Sequence, residues 1–359
     1  MQNDQNPGNN SDGDTTPETT PDNAPDNTPD NTGEHPYSGL TPEVILAAVE
    51  ACGLPASGSL LAMNSYENRV YQIGLEQGGF VIGKFYRPQR WSDESILEEH
   101  EFTLALAEME IPVVAPMSIH GQTLMSHQGF RLALFPRQGG RSPELDNPQH
   151  LEWIGRFIGR IHLLGSARAF LHRPEIDVQS FGIESYNYLI NNDFIPPELM
   201  PAFTTTAEDV LRQCQQLFSQ VPDYRRLRLH GDCHPSNVLW TDAGPHFVDL
   251  DDCRMGPAMQ DLWMLLSGDQ VEMQQQLFQL LEGYTDFADF DPRECLLLEA
   301  LRSLRILHYA AWLARRWGDP AFPHSFPWFN TPRYWEEQIL CLREQLSAMS
   351  EEPLRTRPQ

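Results

Sequence analysis

Asp232, Asn237 and Asp249 stand in the strings Leu229-His230-Gly231-Asp232-Cys233-His234-Pro235-Ser236-Asn237 and Phe247-Val248-Asp249-Leu250-Asp251-Asp252. Together they offer one carboxylate able to take a proton and two hard oxygen ligands. Phosphoryl transfer has those needs: a carboxylate orients and deprotonates the attacking hydroxyl, while oxygen ligands hold magnesium against nucleotide phosphates. A turn at Asp242-Ala243-Gly244 separates the runs Val238-Leu239-Trp240 and His246-Phe247-Val248, so a hairpin is expected to return Asp249 beside Asn237. The same residue types also form ordinary turns and caps. For that bland reading to hold, spacing, hairpin and flanking apolar runs must coincide by accident.

Asp232 precedes Asn237 by five positions, the spacing between proton acceptor and metal ligand in the protein-kinase catalytic loop. Asp249-Leu250-Asp251 stands where a kinase carries Asp-Phe-Gly. Other parts of the chain must then supply a nucleotide cleft. Thr41-Pro42-Glu43 opens an amphipathic helix with Thr41 as N-cap. Tyr71, Ile73 and Leu75 alternate on one strand, Gly78-Gly79 makes a turn, and Phe80, Ile82, Lys84 and Tyr86 share a face of the next strand. A lysine among apolar neighbours is costly unless anions meet it, and nucleotide phosphates plus a helix glutamate would do so. The alternative is an ammonium that snorkels to water.

The glutamate-bearing helix begins at Ser92 and carries Phe102, Ala105, Leu106 and Met109 as its inward stripe. Glu98 and Glu99 flank that stripe on opposite sides, so helical phase leaves the partner of Lys84 open. Phe130 to Phe135 reads as the last strand of a small lobe, passing into a hinge near Leu134, Phe135 and Pro136 that would border the nucleotide. The loop Asn64-Ser65-Tyr66-Glu67-Asn68 occupies the place of a glycine-rich lid but holds no glycine. Ser65 would contact phosphate there with its hydroxyl and backbone amides, or simply form a turn.

From about residue 147 the pattern is helical, with Leu151, Ile154, Phe157, Ile158, Ile161 and Leu164 on a helix that must be deeply buried at the centre of the second lobe. Asp261, alone in an apolar helix, is expected to brace the Asp232 loop. The aromatic stretch His308 to Trp317 reads as core. The fold class expected is α+β: a bilobal, protein kinase-like fold with a small antiparallel-sheet N-lobe over residues 36–136 and a mainly helical C-lobe over 137–345. Residues 346–359 form a C-terminal tail.

A chain of 359 residues, 40% hydrophobic, is long enough for two lobes. Its net charge of -25 excludes the basic footprint that nucleic acid requires. No stretch approaches the roughly 18 apolar residues of a membrane span, so no membrane partner is expected and the protein reads as a cytoplasmic monomer. Six cysteines without CxxC spacing suit free thiols in a reducing compartment, and with His230 and His234 they match no common zinc pattern. Residues 1–35, rich in Asn, Asp, Pro and Thr and lacking Lys and Arg, read as a disordered acidic tail.

These residues resemble the aminoglycoside phosphotransferase and choline kinase-like family, which has the protein-kinase fold and a His-Gly-Asp catalytic loop. Asn64 to Tyr71, Lys84-Phe85-Tyr86-Arg87-Pro88, Ile96-Leu97-Glu98-Glu99-His100, Leu229 to His234 and Phe247 to Asp252 look like the bacterial serine/threonine protein kinases within it. The similarity runs from about residue 38 to about 345. It implies ATP and Mg2+ as cofactors, Asp232 as proton acceptor, Asn237 and Asp249 as metal ligands, Ser65 in the lid and Glu99 as the partner of Lys84. It also implies protein substrates phosphorylated on Ser or Thr, in a bacterial stress response. Pro235-Ser236 departs from the small residues or glycine common before the Asn. The rival reading is a small-molecule kinase acting on an aminoglycoside, choline, homoserine or a sugar alcohol, because fold does not fix substrate. A nucleotide-binding scaffold without turnover is disfavoured by the joint presence of Lys84, Asp232, Asn237 and Asp249.

Overall fold

The computed structural model describes residues 36–356; the acidic segment 1–35 lies outside the described residues. Helix α1 (Pro42–Ala51) begins at the expected cap, the Thr41 hydroxyl accepting from Val44 N. Strands β1 (Ala56–Ala62), β2 (Arg69–Leu75) and β3 (Phe80–Phe85) follow, then α2 (Asp93–Glu108), β4 (Met125–His127) and β5 (Phe130–Pro136). The five strands form one antiparallel sheet in the order β1-β2-β3-β5-β4. β1 was not evident from alternation because its residues are small and mostly exposed. It makes Met63 to Asn68 a true inter-strand loop.

Register settles which side chains face the cleft. Lys84 pairs with Val70 on β2 and with Ala133 on β5; Ile82 pairs with Phe135. These residues share one face, because side chains alternate along a strand. Leu134 is therefore on the opposite face, buried with Ile73, Phe85 and Leu132, and its carbonyl accepts from Met117 N. β5 runs straight through Leu134 to Pro136, and strand alternation turns the Leu134 side chain into the lobe's core. Phe135 remains on the Lys84 face.

The second lobe is mainly helical, as expected. It contains α3 (Pro148–Gly165), α4 (Glu184–Asn191), α5 (Met200–Gln220), the short strands β6 (Leu227–Arg228), β7 (Val238–Thr241), β8 (Gly244–Phe247) and β9 (Met255–Gly256), then α6 (Met259–Trp263), α7 (Gln270–Tyr284), α8 (Leu298–Arg316), α9 (Ala321–Ser325) and α10 (Pro332–Ala348). The centre of the lobe is α8 rather than α3: Leu301, Leu304, Leu307, Ala311, Trp312 and Leu313 are all essentially inaccessible. Segment 346–356 is no free tail, since α10 continues to Ala348, Met349 and Leu354 are buried, and Gln274 on α7 exchanges hydrogen bonds with the Arg355 backbone. No helix among the described residues is long and apolar enough to cross a membrane.

Helices α3 and α7 pack so closely that backbone meets backbone. A Cβ on Gly155 would overlap the Leu280 carbonyl, and one on Gly283 would overlap the Glu152 carbonyl. Overpacking of this kind costs about 1–3 kcal/mol. Gly155→Ala is expected to lower the urea midpoint by that amount of stability at unchanged slope; an unchanged midpoint would mean that the helices separate at no cost.

Candidate active site

The loop carrying Asp232 is shaped by three constraints. Gly231 takes a positive φ of 84°, and a Cβ there would overlap the Asp252 carbonyl. Asp261 accepts from the backbone N–H groups of His230 and Gly231 at 2.8 and 2.9 Å and from His162 Nε2 at 2.9 Å. This is the bracing expected of it. His230 contacts the Val248 carbonyl through Nε2 at 2.9 Å, tying the loop to the strand that leads to Asp249.

The hairpin forms as expected, Val238 pairing with Phe247 and Thr241 with Gly244, and Val248 N donates to the Asn237 carbonyl at 3.0 Å. Asn237 Nδ2 donates to the Asp232 carbonyl at 3.0 Å. That commitment leaves its Oδ1 as the group able to meet a cation. Asp249 lies just beyond, in left-handed backbone at φ 57°, a conformation Asp tolerates better than most residues and one often found at working sites. Its side chain is 42% exposed. Asn237 and Asp249 present hard oxygens of the type that Mg2+ selects, and Mg2+ commonly takes only one or two protein ligands alongside phosphates. Among the described residues, no group of three His, Cys, Asp or Glu forms a metal cluster.

Asp232 is fully buried. Its Oδ1 receives Arg305 Nη2 at 2.7 Å; its Oδ2 lies 3.4 Å from His234 Nε2 and from Asn237 Nδ2. Burial opposes its charge, but Arg305 and then His234 outweigh that and hold its carboxyl well below the usual range. Arg305 could not be found from local sequence, since 73 residues separate it from Asp232.

Lys84 sits at the centre of the opposite wall, with its Nζ 2.9 Å from Asp249 Oδ1, 3.0 Å from Asp251 Oδ1 and 3.9 Å from Glu99 Oε1. Burial pulls its pKa down, yet these three carboxylates raise it well above the ordinary value. These carboxylates favour the charged ammonium, which does not snorkel to water. Glu99 is the glutamate that faces it. Glu98 instead accepts from the backbone N–H groups of Leu171, His172 and Arg173 at 2.6, 2.8 and 3.0 Å, and Arg173 in turn reaches Glu99 at 3.2 Å. Asp251 also pairs with Arg90 and Asn68, and Asp252 with Arg90 and Arg254 at 2.8 and 2.7 Å. Nothing local in sequence marks Arg90, Arg173 or Asp251 for these contacts, because their partners are remote along the chain.

Ser65 donates its hydroxyl to the Asn68 carbonyl at 3.0 Å, so in this state it closes the turn of its own loop. The deeper anchor is Glu67. Its carboxylate receives Trp312 Nε1 at 2.7 Å, Arg316 Nε at 3.2 Å and lies 3.3 Å from Arg87 Nε. Arg87 continues to Asp319 at 3.0 Å. The loop over the cleft is therefore tied to α8 of the other lobe. Removing one member of such a buried network leaves uncompensated charge, at a cost of about 3–5 kcal/mol. Glu67→Ala is expected to destabilise the fold by that amount in urea unfolding and to weaken nucleotide binding, whereas an unchanged midpoint would mean that water replaces the carboxylate without penalty.

Residues 60–318 match the phosphotransferase enzyme family. The chain is 45% identical over 319 residues to stress response kinase A of Escherichia coli (strain K12), covering 89% of this chain and 96% of that protein. The same identity and coverage relate it to serine/threonine protein kinase RdoA of Salmonella typhimurium. In fold, it is similar to the amicoumacin kinase hAmiN in complex with AMP-PNP, Ca2+ and Ami, with a TM-score of 0.65 at 18% identity over 87% of this chain and 95% of that one. It is also similar to a microcompartment-associated aminopropanol kinase, with a TM-score of 0.61 at 17% identity over 87% and 99%. By its matched family model and its full-length relatives, the chain belongs to the phosphotransferase enzyme family.

Proposed function

We propose that this phosphotransferase is an ATP- and Mg2+-dependent serine/threonine protein kinase of a bacterial stress response, acting as a cytoplasmic monomer. The observation that carries the reading is the convergence of Lys84, Asp249, Asn237 and Asp232 on one cleft between the lobes. Protein acceptors and the stress role are supported by the names of the full-length relatives. The six unpaired cysteines, five of them buried, suit a reducing compartment.

In the proposed step, Lys84 and the lid backbone hold the nucleotide phosphates, and Ala133, Ile82 and Phe135 line the roof. Bound by Asn237 and Asp249, magnesium would neutralise charge on those phosphates. Asp232 orients the Ser or Thr hydroxyl and takes its proton. The acceptor oxygen forms a bond to the γ-phosphorus while the bond from that phosphorus to the β,γ-bridging oxygen breaks, and ADP leaves with the electron pair. The proton on Asp232 is then released to solvent.

A second reading, phosphorylation of a small alcohol or amino alcohol, has its support in the solved structures of like fold, which act on small molecules. Incubation with labelled ATP and Mg2+ separates the two: label is expected on Ser or Thr of dephosphorylated casein, and label appearing only on members of an aminoglycoside, choline and aminopropanol panel would overturn the protein-kinase reading. Asp232→Asn is expected to lower turnover by about 10²–10⁴-fold, the usual range for a general base, with nucleotide binding retained. Asp249→Ala should weaken Mg2+-dependent nucleotide binding as well, measured by titration of a fluorescent ATP analogue. Equal turnover of wild type and Asp232→Asn would remove Asp232 from the base role.

A further inference from the structure

One face of α8 reaches both ends of the cleft. Arg305, Trp312 and Arg316 are seven and four residues apart, so they line a single stripe of the helix. Arg305 meets Asp232 at 2.7 Å; Trp312 and Arg316 meet Glu67 in the lid loop at 2.7 and 3.2 Å. The helix that carries them is the buried centre of its lobe, with its apolar side packed among α4, α5 and α10. It cannot shift without disturbing that core.

The two oxygens of Asp232 are not equivalent. Oδ1 takes the short, charge-assisted contact from Arg305, while among the described residues Oδ2 has only the 3.4 Å approaches of His234 and Asn237. An acceptor hydroxyl must come within about 2.6–3.2 Å of the oxygen that takes its proton. Oδ2, without such a charged partner, has the spare lone pairs for this. The short charge-assisted contact from Arg305 engages Oδ1 and so biases which oxygen of Asp232 is left for a hydroxyl.

We propose that Arg305 is a positioning residue for phosphoryl transfer: from α8 it pins Oδ1 of Asp232 so that Oδ2 faces the acceptor hydroxyl, and the same helix stripe ties that setting to the lid loop through Glu67. The inference rests on the reading of Asp232 as proton acceptor.

The test uses the full chain with Mg-ATP and dephosphorylated casein, reading phosphate transfer and ADP release, with displacement of a fluorescent ATP analogue as the measure of binding. Arg305→Met is expected to lower kcat by on the order of ten- to a hundredfold, the scale of a misplaced catalytic group, with the KM for ATP and the analogue affinity within about twofold of wild type. Arg305→Lys should restore part of the kcat, because charge returns without the guanidinium. A residue that merely supports the fold would instead lose ATP affinity and melting temperature together with kcat, and the lysine would restore none of the difference. Wild-type kcat in Arg305→Met, with Asp232→Asn inactive, would overturn the role of Arg305 alone. Wild-type turnover in Asp232→Asn would overturn the base reading on which it rests.

Discussion

The buried ammonium of Lys84 is the constraint around which the cleft is built. A lysine inside a folded lobe is tolerated only when carboxylates surround it, and here β3 supplies the lysine, α2 supplies Glu99, and the segment after β8 supplies Asp249 and Asp251. Two further arginines, Arg90 and Arg173, close the circuit from the stretch before α2 and from the loop that Glu98 holds. Four cations, counting Arg254, thus face four carboxylates, counting Asp252. Three segments far apart in sequence cannot satisfy these charges unless they meet in one arrangement, so the same network that makes burial possible also fixes the site. Asp249 is the member of this set with an open side chain, while Asp251 and Glu99 are buried.

The cleft is closed at its edges by a different device. Lids that cradle phosphate usually rely on glycine for close backbone approach, and the loop of residues 64–68 has none. Its position is set instead by a carboxylate inserted into the opposite lobe, where Trp312 and Arg316 receive Glu67. Because Arg305 on the same helix meets Asp232, the loop of residues 64–68 and the Asp232 loop are held by one rigid element. This explains why α8 outranks α3 as the most buried helix of its lobe: it carries the contacts that hold the two halves of the site in register.

Local pattern made part of this legible. The spacing of Asp232 and Asn237, the hairpin that returns Asp249, the alternation that turns Lys84 inward and the capped start of α2 at Ser92 are all short-range features, and each has a physical signature within a few residues. Glu98 and Glu99 are adjacent on a helix, and only tertiary contacts separate the one that faces Lys84 from the one that gathers the Leu171 to Arg173 amides. The face that Leu134 takes is hidden in sequence because the end of a strand and the start of a hinge share the same apolar composition; register alone shows it. Arg305, Arg90, Arg173 and Glu67 left no trace in sequence, since an isolated charged residue looks solvated until its partner, 73 to 249 residues away, is brought beside it.

The most direct measurement is phosphate transfer into a bacterial cytosolic extract with labelled ATP and Mg2+, the labelled species being identified by mass and wild type compared with Asp232→Asn. Phosphoserine or phosphothreonine in proteins, present with the wild type and absent with the variant, is the predicted result. Label confined to small metabolites, or equal protein labelling by both forms, would contradict it.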